Sequence, residues 1–416
     1  MSELDRIITA NRTAGGPPLP SICSAHGDVL TAALLLAAEL DRTLLVEATS
    51  NQVNHQGGYT GQTPSDFLAA QRARAKALNV DADRMILGGD HLGPQAWKSA
   101  PPDEAMAEAE AMIAAYVQAG FTKIHLDCSE GCTGEPAQLS DGPAAARAAF
   151  LANVAETHAP DPGALRYIIG TEVPPPGGAR EGHAGIDPTP PDRATATLTA
   201  HAEAFAAAGL DAAFDRVRAL VVQPGVEFGP DHVDHFDPAA PDHLSSVLDP
   251  HPLLCFEAHS TDYQHPNVFA ELARRRFAIL KVGPALTFAW REAAYALSHL
   301  AGWLDRPVDL PRVMGALMEA HPDHWRGHYP VDQPLLRHFG LADRIRYYWA
   351  TPEAQGAVAE LHGALADAHL PRALVTQYVP EATLQRAEGL DLPWPQAILV
   401  AHVQRALLPY YEASPC

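Results

Sequence analysis

Acids, imidazoles, amides and a lysine recur at the ends of short β-branched runs in this sequence. The set comprises Glu47, Asn51, Gln52, Asp90, His91, His125, Asp127, Glu172, Gln223, Glu257, His259 and Lys281. Imidazole and carboxylate groups suit Zn²⁺, Mn²⁺ or a related divalent ion, and a catalytic metal site keeps a position open for substrate oxygens. These residue types therefore predict a metal-dependent catalytic site.

The predicted metal ligands are His91, Glu172 and His259, which end the third, fifth and seventh runs. Alternate strands of a parallel barrel contribute side chains to one layer, so these three groups are expected to meet. A second cluster, Asp231-His232 with Asp234-His235, lies in a loop and is expected to be solvated surface. We therefore favour the first set for the divalent ion.

Asp90 directly precedes a predicted ligand, His91. Its carboxylate is placed to move a proton on a hydroxyl whose neighbouring carbonyl the metal polarises, which is enolate chemistry. Lys281 offers a rival mechanism through a Schiff base with a carbonyl substrate. The alternative role for Lys281 is a cation that hydrogen-bonds the substrate or faces its phosphate.

Phosphate-binding groups are predicted near the end of the eighth run. Gly283 precedes a helix that begins near Thr287, and backbone amides at a helix start favour anions. Barrels commonly bind phosphate after strands seven and eight, which adds Ser260. Arg344 and Arg346 form either a second phosphate contact with their forked donors or a salt-bridged helix face.

The elements that must position these groups alternate between short β-branched runs and alanine-rich helical stretches. This alternation predicts an α/β fold, a (β/α)8 TIM barrel filling roughly residues 15–305, since such barrels need about 250 residues. The predicted strands are Ser21–Ser24, Thr43–Glu47, Arg84–Gly88, Lys123–Asp127, Tyr167–Glu172, Ala219–Gln223, Leu253–His259 and Ala278–Val282. We therefore divide the chain into a barrel, residues 1–305, and a helical extension packed on it, residues 306–416.

Three loops after predicted strands are longer than a barrel requires: Ala48–Gln62, Val173–Asp192 and Pro224–Asp242. Such loops at the carboxyl ends of strands are candidates for the walls of a binding site. Helix boundaries are marked by an N-cap at Thr63 and by Gly120.

The chain has 416 residues, with 29 Lys and Arg against 50 Asp and Glu, which gives a net charge of −21. This balance argues against nucleic-acid binding and against a polybasic membrane anchor. The first 20 residues lack a signal peptide, and the apolar runs are shorter than the ~20 residues of a membrane span. Five scattered cysteines suit reduced thiols. We expect a cytoplasmic protein.

Nine sequence blocks along the chain closely resemble one known family, the GatZ/KbaZ large subunits of class II tagatose-1,6-bisphosphate aldolase. The blocks are EATSNQVN, GGYTG, ILGGDHLGP, GFTKIHLD, IGTEVPPPGG, VVQPGVEF, EAHSTDYQ, ILKVGPALTFAWREA and DRIRYYW, between Glu47 and Trp349. The resemblance implies a TIM barrel and a role in tagatose, galactitol or N-acetylgalactosamine catabolism. It also implies an oligomer and a smaller aldolase subunit as a candidate partner.

The Asp90-His91 pair is similar to the Asp-His pair of class II aldolases, in which Asp is the acid/base and His binds zinc. His259 and Glu172 resemble the further His and Glu of that site, while a third His is not evident from the sequence. Family members are usually described as non-catalytic stabilising subunits, and some carry the name tagatose-6-phosphate kinase. The sequence contains no GxxxxGK[ST] phosphate loop, which argues against the kinase reading.

These observations lead to the hypothesis of a metal-dependent enzyme that breaks the C3–C4 bond of a ketohexose or ketohexose phosphate. Asp90 would deprotonate the C4 hydroxyl, and rotation of the aldehyde before the bond re-forms would give C4 epimerisation. Asp127 or Glu172 would serve as the second acid/base, while Glu47, Asn51, Gln52, His125, Gln223, Glu257 and Lys281 would bind substrate. The alternatives are a stand-alone aldolase and a stabilising subunit that turns over nothing.

Overall fold

Ten strands are present in the computed structural model, which describes residues 1–171, 186–304 and 306–413. They are β1 (Leu19–Ile22), β2 (Leu44–Thr49), β3 (Met85–Leu92), β4 (Lys123–Leu126), β5 (Arg166–Ile169), β6 (Val217–Val221), β7 (Glu227–Phe228), β8 (Val233–Asp234), β9 (Cys255–Ala258) and β10 (Phe277–Val282). Eight of them form a closed barrel in the order β1-β10-β9-β6-β5-β4-β3-β2, and all neighbours are parallel. The other two strands, β7 and β8, form an antiparallel hairpin in the loop after β6.

Fifteen α-helices accompany these strands in the described ranges. They are α1 (Glu3–Ala14), α2 (Gly27–Glu39), α3 (Pro64–Ala77), α4 (Pro102–Ala119), α5 (Asp141–His158), α6 (Pro191–Ala207), α7 (Asp211–Phe214), α8 (Pro266–Arg274), α9 (Pro284–Gly302), α10 (Leu310–Ala320), α11 (Leu336–Phe339), α12 (Pro352–Leu365), α13 (Arg372–Val375), α14 (Glu381–Glu388) and α15 (Trp394–Glu412).

The (β/α)8 TIM barrel with a helical extension is confirmed, because each of the eight predicted runs overlaps one barrel strand. The largest difference in a boundary is at β3, which continues past Gly88 to Leu92 and therefore includes the predicted catalytic pair. The helix signals are also confirmed. The Thr63 hydroxyl accepts the Asp66 amide in a capping box, and Gly120 ends α4 with a φ of 102°.

Helix α1 closes one end of the barrel interior. Leu4 and Ile8 are buried in one cluster with apolar side chains that point inward from the strands. Asp5, on the same helix, accepts hydrogen bonds from Nε and Nη2 of Arg166 (2.8 and 2.7 Å) and from Nε of Arg218 (2.6 Å). Although burial opposes its ionised form, these bonds hold the pKa of Asp5 well below the usual range.

The C-terminal extension packs on the barrel through buried aromatic and polar contacts. Trp349 meets Trp290 of α9 edge to face, with ring centroids 4.8 Å apart. The Tyr410 hydroxyl of α15 donates to the Thr261 carbonyl at 2.8 Å. Tyr263, in the loop after β9, donates to the Leu341 carbonyl at 2.7 Å. These contacts join the extension to the carboxyl end of the barrel.

None of the helices in the described ranges combines the length and the apolar composition needed to cross a bilayer.

We predict that Asp5→Asn lowers the free energy of unfolding by about 3–5 kcal/mol at pH 7, because Arg166 and Arg218 lose their buried partner. Since the pKa of Asp5 is lowered in the folded state, its stabilising effect is present above the unfolded pKa of about 3.9 and is lost as the pH falls. Urea titrations of both proteins at pH 7 and at acidic pH measure this difference.

Asp41→Asn is the matched control, because Asp41 forms an ion pair with Arg84 but is 87% exposed. This variant is expected to change stability by less than about 1 kcal/mol. Equal effects of the two substitutions would contradict the role assigned to Asp5.

Candidate active site

Strand β3 contains a bulge at the residues predicted to carry the chemistry. Between Gly89 and Leu92, β3 advances three residues while β4 advances two. His91, inside this segment, has a φ of 49°, a left-handed conformation that is uncommon for a non-glycine residue. Consecutive residues of a regular strand point to opposite faces, but here Asp90 and His91 both line one cavity.

Three imidazoles meet at the mouth of the barrel: those of His91, His125 and His259. Their ring centroids lie 5.2–5.3 Å apart in all three pairs. Ligand atoms of Asp90, His125 and His259 all lie within 4.8 Å of one another. The predicted ligand Glu172 lies outside the described residues, and His125, predicted to bind substrate, is the group that the fold brings beside the other two.

Carboxylates orient these imidazoles. His91 Nδ1 lies 2.7 Å from Oδ2 of Asp127, whose other oxygen accepts from the amide and hydroxyl of Ser129 at 3.1 and 2.6 Å. His259 Nε2 lies 3.1 Å from Oε1 of Glu257. These contacts fix the rings, as carboxylates do around metal-binding histidines. Asp127, predicted as the second acid/base, is therefore engaged by His91 and Ser129.

Nδ1 of His125 lies 2.9 Å from Oδ1 of Asp90 and 3.2 Å from the backbone nitrogen of His91. The opposite nitrogen of the ring, Nε2, is buried and has no hydrogen-bond partner among the residues that the structure describes. A buried polar atom without a partner is costly, so this nitrogen is a candidate to bind an ion or a ligand atom.

Burial keeps two of these imidazoles neutral. It lowers the pKa of His125 to about 4, helped by the neighbouring His91, and it lowers the pKa of His259 to about 4 against the attraction of Glu257. Near neutral pH both rings are therefore unprotonated, which is the form that binds a metal ion.

A network of alternating charges lies beneath the imidazoles, inside the barrel. Lys123 forms ion pairs with Glu47 and with Glu257, the latter at 2.8 Å, and all three side chains are fully buried. Lys281 pairs with Asp90, with Glu47 at 2.8 Å and with Glu257 at 3.5 Å. Burial opposes every charge, but the carboxylates raise the pKa of Lys123 and the lysines lower that of Glu47 and Glu257.

Two of the imidazoles, those of His91 and His259, line a cavity at the carboxyl end of the strands. Its barrel side also includes Asp90 and Lys281. Its other described lining residues come from the ends of strands, the loops that follow them, the start of α9 and the extension: Cys23, Thr49, Asn51, Gln52, Tyr59, Phe228, Ser260, Asp262, Val282, Gly283, Pro284, Arg346 and Tyr347. An adjoining cavity shares Gln52, Tyr59, Gly283 and Arg346.

Two of the three long loops thus contribute to this cavity, and the greater part of the third falls outside the described residues. Predicted substrate residues Asn51 and Gln52 line it. The Gln223 side chain instead accepts the amides of Gly225 and Val226, both at 2.8 Å, and shapes its own loop. Glu47 and Glu257 belong to the buried ion network below the cavity.

The predicted phosphate groups are separated by the fold. Ser260, Gly283 and Arg346 line the cavity, whereas Arg344 is absent from its described lining and donates to the His324 carbonyl at 2.5 Å. The amide of Gly283 already donates to Oδ1 of Asp262 at 3.0 Å, and burial raises the pKa of that carboxyl to about 6. The start of α9 is therefore occupied by a side chain of the protein itself.

Two contributors to the site, Lys123 and Tyr347, were not predicted from the sequence, and a third, His125, was predicted in a different role. His125 was predicted to bind substrate, because the expectation that alternate strands share a layer placed the third ligand on the fifth strand. Lys123 begins β4 and gave no signal, because its partners lie on other strands. Tyr347 lies within the quoted block DRIRYYW, yet its place in the cavity depends on how the extension folds back.

We predict that Lys123→Met destabilises the protein by about 3–5 kcal/mol, because Glu47 and Glu257 are left buried without compensation. Adding Glu257→Gln to that variant is expected to recover part of the loss, since the two groups interact directly. Denaturant unfolding of the single and double variants measures both effects.

Lys98→Met is the control, because Lys98 pairs with Glu130 but is 39% exposed. A loss as large as that of Lys123→Met would contradict the special cost of the buried network.

Comparisons with known proteins agree with this architecture. Residues 4–415 match the family model described as D-tagatose-1,6-bisphosphate aldolase subunit GatZ/KbaZ-like. The D-tagatose 6-phosphate 4-epimerase of Agrobacterium fabrum is 49% identical over 425 residues, covering 100% of this chain and 99% of that protein. A crystal structure described as a probable tagatose 6 phosphate kinase from Sinorhizobium meliloti 1021 superposes with a TM-score of 0.86 at 44% identity, covering 95% of this chain and 100% of the other. The chain belongs to the GatZ/KbaZ-like family.

Proposed function

We propose that this protein is a metal-dependent 4-epimerase of a ketohexose 6-phosphate, interconverting the tagatose and fructose configurations by retro-aldol and aldol steps. The observation that carries the proposal is the Asp90 carboxylate beside three adjacent imidazoles, two of which, His91 and His259, line a cavity that also contains the guanidinium of Arg346. The name of the Agrobacterium relative, 49% identical over its whole length, supports the same reaction.

The residues at the barrel mouth fit a divalent metal ion such as Zn²⁺ or Mn²⁺. His91, His125 and His259 would hold it, since their rings are adjacent and Nε2 of His125 is buried without a partner in the described part of the chain. Near these rings lie four carboxylates and two ammonium groups, those of Glu47, Asp90, Asp127 and Glu257 and those of Lys123 and Lys281. The excess of two negative charges is one that a divalent ion would neutralise. Such an ion supplies Lewis-acid polarisation of a carbonyl.

Asp90 would take the proton of the C4 hydroxyl, and the C3–C4 bond would then break to an enediolate and an aldehyde. Rotation of the aldehyde followed by renewed attack of C3 inverts C4, whereas release of the aldehyde is aldol cleavage. Lys281, paired with Asp90 and Glu47, holds the position of the base. A Schiff base requires an amine that is free to attack a carbonyl, whereas the Lys281 side chain is engaged in ion pairs with Asp90, Glu47 and Glu257.

Two other readings of the family are less well supported by this chain. A subunit that only stabilises a partner has no physical need for buried charges and imidazoles at a cavity, since such groups cost free energy. A kinase needs a nucleotide phosphate site, and the sequence has no GxxxxGK[ST] loop. Aldol cleavage shares the bond-breaking step with epimerisation, so product analysis must separate them.

We expect the purified chain with Mn²⁺ or Zn²⁺ to interconvert tagatose 6-phosphate and fructose 6-phosphate, and a chelator to abolish this activity. Asp90→Asn is expected to lower kcat by at least about 10²-fold, since general base catalysis contributes that much, while keeping its metal. His125→Ala is expected to lose the metal. Chromatographic product analysis and elemental analysis of the protein measure these outcomes.

His243→Ala, at an exposed loop position that is absent from the described lining of the cavity, is the control and should keep both activity and metal. Absence of turnover in every metal condition would refute the enzyme. Release of dihydroxyacetone and glyceraldehyde 3-phosphate without interconversion would identify an aldolase instead. Loss of metal from Asp90→Asn would make Asp90 a ligand and contradict its role as base.

Arg346 is proposed to bind the 6-phosphate, because it is the guanidinium in the described lining of the cavity. Arg346→Ala is expected to lower kcat/KM for tagatose 6-phosphate relative to free tagatose by about 10- to 100-fold, the effect of one charge-assisted hydrogen bond of about 1.5–3 kcal/mol. Steady-state kinetics with both sugars measure the ratio. An equal loss for the two sugars would show that Arg346 does not recognise the phosphate.

A further inference from the structure

Inversion at C4 needs a proton-transfer group in addition to Asp90. This inference rests on the proposed epimerisation. When C3 attacks the opposite face of the rotated aldehyde, the new C4 oxygen lies away from Asp90 and needs a proton from another group. Asp127 is held by His91 at 2.7 Å and by the Ser129 hydroxyl at 2.6 Å, and unlike Asp90 it is absent from the described lining of the cavity.

Tyr347 lines the same cavity but belongs to the C-terminal extension, not to a barrel strand. It lies in the one-turn segment Arg344–Tyr348 of the extension, while Asp90 belongs to β3. Its ring packs edge to face on Tyr59, with centroids 4.7 Å apart, and stacks on His324 at 4.8 Å. These contacts hold the phenol in one orientation at the wall of the cavity.

Two guanidinium groups surround this phenol. Arg346 Nη2 donates to the Tyr347 hydroxyl at 3.0 Å, and Arg344 Nη1 donates to it at 3.4 Å. Their guanidinium carbons also lie 4.6 Å (Arg344) and 4.5 Å (Arg346) from the centre of the Tyr347 ring. Donors directed at a phenol oxygen favour its ionised form, so the hydroxyl can both give and receive a proton.

The two positive charges beside Tyr347 also favour the ionised form of its phenol. Burial alone would raise the pKa of this phenol, but Arg346 and Arg344 outweigh burial and the nearby Asp343, and the pKa is lowered. Tyr59, the other phenol in the cavity lining, has its pKa raised to about 12 by burial. The remaining titratable neighbour, His324, stacks on the ring face.

We propose that the Tyr347 hydroxyl is the second acid/base of the epimerisation, acting on the C4 oxygen from the extension while Asp90 acts from the barrel.

The protons and electrons balance without any further reactant. Asp90 takes the proton of the C4 hydroxyl, the C3–C4 bonding pair moves to the enediolate, and the C4 oxygen becomes an aldehyde. After rotation, the enediolate pair forms the new C3–C4 bond, the carbonyl pair moves to the C4 oxygen, and this oxygen takes the proton of Tyr347. Exchange with solvent then returns Asp90 and Tyr347 to their starting forms, and the reverse reaction uses them in exchanged roles.

Tyr347→Phe tests this assignment, because the ring that packs between the two guanidinium groups is kept. We expect kcat for epimerisation to fall by at least about 10²-fold with KM changed little, since general acid catalysis contributes at least that factor. In the wild type, kcat/KM should fall on the alkaline side below the ordinary phenol pKa of about 10, and the residual activity of the variant should lack this decrease.

The partial reaction gives a second readout that a merely structural role would not change. Tyr347→Phe should release glyceraldehyde 3-phosphate from one C4 epimer only, and Asp90→Asn from the other, as measured with a coupled dehydrogenase. Retention of kcat within a few-fold of the wild type, a loss confined to KM, or an unchanged alkaline decrease would overturn the assignment.

Tyr378→Phe is the matched control, since its hydroxyl contacts Trp303 on the surface of the protein, and its kinetics should equal those of the wild type. If the wild type epimerises and Tyr347→Phe does so equally well, only the role of Tyr347 is refuted. If the wild type converts neither epimer in any metal condition, the proposed function is refuted together with it.

Discussion

The buried ion network inside the barrel is the constraint on which the rest of the site depends. Lys123 and Lys281 neutralise Glu47, Glu257 and Asp90 in a space where an unpaired charge costs several kcal/mol. Each of these residues comes from a different strand, so the network is complete only when the closed barrel has its observed register. Barrel interiors of this fold are usually filled by branched apolar side chains, and here the apolar layer is confined to the end that α1 covers.

The bulge in β3 places both Asp90 and His91 in the cavity beside this network. A regular strand would direct either Asp90 or His91 away from the cavity, whereas the extra residue and the left-handed backbone at His91 direct both into it. Backbone strain of this kind costs about 1–3 kcal/mol and persists only where surrounding contacts enforce it. The contacts here are Asp127 on the His91 ring and Lys281 on Asp90. Glycine is needed at position 88, because a Cβ there would approach the Glu47 side chain to 2.9 Å.

The cavity has two walls of different chemistry. The barrel provides carboxylates and neutral imidazoles, and the extension provides Arg346 and Tyr347. In the proposed function, this division lets a chain with a net charge of −21 bind an anionic sugar phosphate, since one segment of the extension places the proposed phosphate-binding cation, Arg346. The proposed acid/base groups, Asp90 and Tyr347, also lie on the two different walls, as inversion of a carbon requires.

The class of fold, the strand positions and most of the polar side chains at the barrel mouth were predictable from the amino-acid sequence, because the alternation of β-branched runs with helices is a local signal. The sequence also predicted that Asp90, His91 and His259 belong together, since strand ends of a parallel barrel converge. Three features became evident only in the folded chain: His125 completes the imidazole cluster, Asp262 occupies the start of α9, and Arg346 and Tyr347 are in the described lining of the cavity while Arg344 is not. The physical reason is that bulges, register and the path of the extension depend on contacts between residues far apart in the chain, which no local pattern encodes.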